Sequence, residues 1–372
     1  MRNRLYARVA LVVLIGLALL MTIFILAMQF SGAWELGDFH VTFYRVARYF
    51  LRGENVYVNS YPHPYNGSEY PPFEPIWSLY VFVPFGALPL PVAEALRVVL
   101  DIMILPFLAY LSARWARLPH APAGVLLVLA PWLLTEVHSG QLTPLVFLGT
   151  FLCYWGVRKP SALITAVGLW LALAKFNLVA LVLLTTIVFA WRRRILVRTV
   201  AILSGLIVVD SLASPLWFID LAFLYIERLT HPRVSDSILL FPGYPWGQLG
   251  LLFIGTLFLI FYVWHYDLTH PSPWLWAVML GVSLVGALHT FIYDWQLLMP
   301  LLALLLRSWW GGWFTVGVYA YSLSWVFLAE DFNMPVPSLK IVPGLVLALT
   351  FIWGLARQRI SVEGEIRNES SA

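Results

Sequence analysis

The stretch GDFHVTFYRVARYFLRGENVY, residues 37–57, decides how the chain is read. Phe39, Phe43, Val46, Ala47 and Phe50 recur at helical spacing and predict one apolar face. Thr42, Arg45, Arg48 and Arg52 follow Asp38 along the other face. It is an amphipathic helix in a polar interval that continues through YPHPYNGSEYPPF to residue 73. Runs of apolar residues fill most of the rest. A carboxylate, a file of arginines and a cluster of tyrosines beside a membrane suit chemistry on a charged lipid.

Working outward, 61% of the 372 residues are hydrophobic and 11% are charged. This composition predicts an all-α polytopic membrane protein, since each spanning helix needs about 20 apolar residues, fewer inside a bundle. A β-barrel would show short alternating segments instead. The net charge of +4 marks topology rather than nucleic-acid affinity. The single cysteine, Cys153, excludes a disulfide framework and a cysteine metal site.

Arg2, Arg4 and Arg8 precede the first apolar run, Val9–Phe30. This run is read as a retained helix with the N-terminus inside. The interval from Ser31 is then outside. The next apolar segment, Phe73–Leu88, is short and broken by Pro75, Pro84 and Pro89. If it crossed, Arg114, Arg117, Arg158, Lys159 and Arg192–Arg194 would fall outside. If it does not, all fall inside. The charge rule therefore selects a re-entrant or interfacial helix, and residues 31–91 form the first outer loop.

The later spans are Val92–Ala113, Ala121–Thr135, Leu142–Val157, Ser161–Ala174, Leu178–Trp191 and Ile195–Ala213. Gly247–His265, Trp274–Thr290, Trp295–Leu306, Gly312–Leu328 and Ile341–Ala356 complete a bundle of about twelve helices. Residues 1–356 form one transmembrane domain in the cell membrane. Residues 357–372 are a polar cytoplasmic tail, and both termini are inside.

Polar residues then gather at the outer side: Asp38, Arg45, Arg48, Arg52, Tyr57, Tyr65, Tyr70, His138, Gln141, Lys175, Asn177, Tyr293 and Asp294. Ionisable groups at membrane depth are functional candidates. Asp38 suits a helix N-cap and equally a general base. The arginines suit headgroup anchoring or paired recognition of a lipid-linked phosphate. Lys175 either snorkels to the interface or adds a point charge to that phosphate. Glu94, Arg97 and Asp101 share one helix face and read as an internal ion pair that orders the bundle. His289 has Tyr293 and Asp294 about one helical turn away.

These residues carry a resemblance. Gly37-Asp38-Phe39, Phe43-Tyr44, Ala47-Arg48, Gly53, Tyr57, Tyr70-Pro71-Pro72 and Leu88-Pro89 follow the order found in glycosyltransferase family 87. HSGQLTPLVFL (138–148), GLWLALAKFNLVALVLL (168–184) and FIYDWQLLMPLLALL (291–305) are similar to later blocks of that family. The likeness covers about the first 200 residues well and the region around His289–Leu305 loosely. The chain departs from the family pattern at Lys175-Phe176, where members carry Lys-Pro. It departs again at Asp294, where many members carry His.

The resemblance implies a GT-C-type bundle with membrane-parallel helices in the first outer loop. It implies a polyprenyl-phosphate sugar donor, usually mannose, and Asp38 as the essential carboxylate. The expected activity is inverting sugar transfer to an extracytoplasmic hydroxyl, independent of metal and cofactor. Arg45, Arg48 and Lys175 are expected at the donor phosphate. Tyr44, Tyr65, Tyr70, His138, Gln141, Asn177, His289 and Asp294 are expected near substrate. The acceptor is a glycan, a glycolipid or a protein. A transporter or flippase of a lipid-linked sugar, and a GT-C transferase of the aminoarabinose or protein-mannosyl type, remain the alternatives.

Overall fold

The computed structural model describes residues 39–57, 75–118, 140–212, 246–266, 268–287, 292–308 and 344–352, with a few isolated positions such as Glu136 and Asp220. All regular structure among the described residues is helical. The first run, Val9–Phe30, and the tail 357–372 lie almost wholly or wholly outside the described residues.

The amphipathic stretch opens with one wide π-type turn, Phe39–Tyr44, and continues as α1, Arg45–Leu51. Its apolar file is buried as its spacing requires: Phe39, Phe43, Val46 and Ala47 are inside, while Arg48 and Arg52 point outward. Against it lies the proline-broken segment. This segment is only α2, Ile76–Leu79, a 3₁₀ turn, Tyr80–Phe82, and α3, Val83–Gly86. About eleven helical residues rise roughly 16 Å, half of a hydrocarbon core. Gly86 lets the two backbones touch: a Cβ there would meet Ala47 at 2.8 Å. Phe82 stacks on Phe43 at 4.3 Å, and Phe85 meets Phe39 edge-on at 5.5 Å.

Pro89 caps α4, Leu90–Trp115, in extended backbone, and Pro91 falls in its first turn, where proline is tolerated. α5, Thr143–Arg158, and α6, Ala162–Ala172, form a tight antiparallel hairpin. Small residues set its register: Gly149 faces Ala172, Gly168 faces Cys153 and Gly156 faces Thr165. A Cβ on Gly168 would sit 2.5 Å from the Cys153 amide nitrogen and 2.9 Å from the Gly149 carbonyl. Backbone cannot yield as a side-chain tip can. Gly168→Ala is therefore expected to cost about 1–3 kcal/mol, read as a lower melting temperature in detergent. Gly205→Ala is the control, because nothing lies within 4 Å of that position.

After a 3₁₀ turn, Leu173–Lys175, comes α7, Phe176–Arg192. By length and composition, Ala162–Arg192 and Trp246–His265 are long and apolar enough to cross a membrane. The first is not one straight rod. Cys153 contacts Gly168 and also the Thr186 hydroxyl, two positions about 27 Å apart on a straight helix. The chain therefore turns back where Lys175 (φ −136°) and Val179 (φ −132°) leave helical geometry.

α8, Leu196–Leu212, and α9, Trp246–His265, are followed by α10, Pro273–Gly286. Gly255 of α9 lets Leu181 of α7 and Val282 of α10 close in. A 3₁₀ turn, Ile292–Leu298, leads into α11, Met299–Leu305. The outer faces of α8 and α9 stay apolar, with Val209 67%, Phe253 62% and Ile254 64% exposed. Such a face suits hydrocarbon rather than water.

Helix ends divide into two groups. Phe39, Gly140, Thr143, Lys175 and Asp294 meet at one end of the bundle. Arg158 and Arg193 meet at the other. There α4 and α7 end with Arg117 (φ 54°) and Arg194 (φ 58°) in left-handed backbone. That conformation costs a side-chain-bearing residue about 1–2 kcal/mol.

Candidate functional site

At the first end, buried polar groups form two linked clusters. Arg97 on α4 is the centre of one. Its guanidinium bonds Asp101 one helical turn on, at 2.9 Å, and lies 3.4 Å from Glu136. It donates to the Gln141 carbonyl at 2.5 Å and sits over the Phe82 ring at 5.5 Å. The Gln296 amide donates to the other Glu136 oxygen at 2.8 Å. Arg97 and Glu136 together thus tie α4, the turn before α5, the 292–298 turn and the aromatic cluster under α1.

The second cluster is Lys175, Thr143 and Asp294. The Thr143 hydroxyl donates to Asp294 at 2.7 Å. The Lys175 ammonium lies 3.5 Å from Asp294 and donates to Thr143 at 3.4 Å. Asp294 and Gln296 are two residues apart on one 3₁₀ turn, so the clusters share a support. Asp101, Glu136 and Asp294 are nearly inaccessible, and three carboxyls face two cations. Burial, and after it the Asp101 carboxylate, push the Glu136 carboxyl well above the usual range. Arg97, Lys175 and the Gln296 bond oppose this.

The expected ion pair within Glu94, Arg97 and Asp101 is present between Arg97 and Asp101. Glu94 turns elsewhere, to His40 Nδ1 at 3.8 Å. Of the expected phosphate-binding groups, Arg45 is half-buried and Arg48 is exposed on α1, and Lys175 is held by Asp294. Tyr44 is buried and its hydroxyl donates to the Leu88 carbonyl at 2.8 Å. Gln141 is buried beside Arg97, and Asn177 is half-buried at the start of α7. Asp38, Tyr65, Tyr70, His138 and His289 lie outside the described residues.

Phe39, the chain neighbour of Asp38, is pressed against Gly140, where an added Cβ would sit 2.5 Å from the Phe39 Cβ. Gly140 also has φ +61°. A side chain there is excluded twice, by space and by backbone. Glu136 and Gln296 did not stand out in the sequence. The signal was an acid and an amide interrupting apolar runs, without any local partner. Comparison with family models, curated proteins and solved structures finds no match for this chain.

Proposed function

We propose that this protein is a membrane glycosyltransferase that moves a sugar, mannose by resemblance, from a polyprenyl-phosphate donor to an acceptor hydroxyl with inversion. The reacting end faces the extracytoplasmic side, and the arginine-rich opposite end faces the cytoplasm, as the charge rule requires. Asp38 accepts the hydroxyl proton while the hydroxyl oxygen attacks the anomeric carbon. The bond from that carbon to the phosphate oxygen breaks, and polyprenyl phosphate leaves with the electron pair. The leaving group is a weak base, so it needs charge stabilisation more than a proton. Arg45 and Arg48 on α1 supply it, with Lys175 at the edge of the buried cluster. As in inverting glycoside chemistry, the transition state gathers positive charge at the sugar ring.

The observation that carries this reading is the convergence at one end of the bundle. Phe39 lies against Gly140, the Lys175–Thr143–Asp294 cluster adjoins it in sequence through Gln141 and Leu142, and Arg48, exposed on α1, follows Phe39 by nine residues. The test is incubation of purified protein with polyprenyl-phosphate mannose and a panel of glycan, glycolipid and peptide acceptors. Release of polyprenyl phosphate only when an acceptor is present is expected. A carrier would move the lipid-linked sugar intact and release none.

A further inference from the structure

Three helices end with the same hydrogen-bonded cap. In α1, Gly53 donates to Phe50 O and Glu54 to Tyr49 O, with Gly53 at φ +73°. In α4, Arg117 donates to Arg114 O and Leu118 to Ala113 O. In α7, Arg194 donates to Trp191 O and Ile195 to Ala190 O. This cap favours glycine at its left-handed position because glycine has no Cβ to clash. Only α1 has one. The other two place an arginine there, with φ 54° and 58°, and both are at the same end of the bundle.

That end concentrates positive charge. Arg193 donates to the Arg158 carbonyl at 3.1 Å, and Arg158 donates to the Tyr154 hydroxyl at 2.7 Å. Arg117 is close enough to act electrostatically on the same hydroxyl. Arg114, Lys159, Arg192 and Arg198 belong to the same helix ends. No acidic side chain accompanies them among the described residues; Asp267 lies outside those. Cations at helix C-termini are favoured by the helix dipole, but a side-chain-bearing residue in left-handed backbone is not, and strained backbone gathers where it serves a site. Trp191, Trp264 and Tyr266 are 69%, 79% and 53% exposed near these ends. Such aromatics mark the level of lipid headgroups.

We propose that Arg117 and Arg194, together with Arg158 and Arg193, form a docking face for the phosphate of an anionic phospholipid headgroup. The exposed aromatic residues favour a lipid over a soluble anion, because their rings rest at the headgroup boundary. The face is at the opposite end from the proposed transferase site, and it stands whether or not that reading holds.

The experiment uses the full chain in neutral detergent, equilibrated with phosphatidylglycerol or phosphatidylcholine, with retained lipid counted by native mass spectrometry. Wild type should retain phosphatidylglycerol in preference. Arg117→Gly with Arg194→Gly should weaken that retention by about fivefold per arginine. Without added lipid, its melting temperature should stay level or rise, since glycine fits both caps. Arg117→Asn with Arg194→Asn keeps left-handed turns without charge and should lose the lipid equally. It decides the matter if the glycine pair does not fold. Unchanged retention by the double variants would overturn the proposal. So would equal retention of phosphatidylcholine by wild type, or displacement of phosphatidylglycerol by inorganic phosphate.

Discussion

Asp38→Asn is expected to slow sugar transfer by about 10²–10⁴-fold while the protein still inserts and still binds the lipid donor. The amide keeps the shape and the capping capacity of the carboxylate, but it cannot accept the acceptor's proton. The loss should therefore appear in kcat, with little change in the donor's KM, because in the proposed reaction the donor is held through its phosphate and chain. The checks are acceptor-dependent release of polyprenyl phosphate and donor binding in the absence of acceptor. Near-normal turnover by the variant would remove Asp38 from the mechanism. Loss of donor binding would assign it to structure instead.

Arg97→Met is expected to be the most destabilising single change in the described part of the bundle. The Arg97, Asp101 and Glu136 side chains are 7%, 2% and 0% exposed, so no solvent replaces the lost cation. Removing one partner of such a buried group costs about 3–5 kcal/mol. Thermal unfolding in detergent measures it. Combining Arg97→Met with Asp101→Asn and Glu136→Gln should recover most of the loss, because the uncompensated charge is then gone. If Arg97→Met alone melted like wild type, the network would not be what ties α4 to the turns before α5 and α11.

Much of the local structure was legible because it follows from short-range periodicity. The buried file of Phe39, Phe43, Val46 and Ala47 is helical spacing and nothing more. The interruptions at Pro84 and Pro89 are steric facts about proline, and the chain does break into short helices there. A lone lysine with an asparagine between two short apolar runs predicts the reversal near Lys175, and the chain turns there. The Arg97–Asp101 pair is four residues apart and needs no tertiary information.

The partners across the bundle were not legible. Glu136 is 39 residues from Arg97, and Asp294 is 151 residues from Thr143. No period in the sequence links such positions; packing of whole helices brings them together. The same limit applies to Lys175. Its spacing marks it as a cation at a helix end, but not that a buried carboxylate holds it. The Tyr44 hydroxyl likewise donates to the Leu88 carbonyl, 44 residues on. That bond depends on how the proline-broken segment folds over α1.

In the proposed enzyme the residue 38 carboxylate lies at the outer side of the membrane. Cys153, the one cysteine, is buried in α5, so Cys153→Ser offers a clean background for Asp38→Cys. Intact cells carrying that pair are treated with a membrane-impermeant maleimide. Labelling before permeabilisation is the predicted result. Labelling only after the cytosolic face is opened would contradict the account.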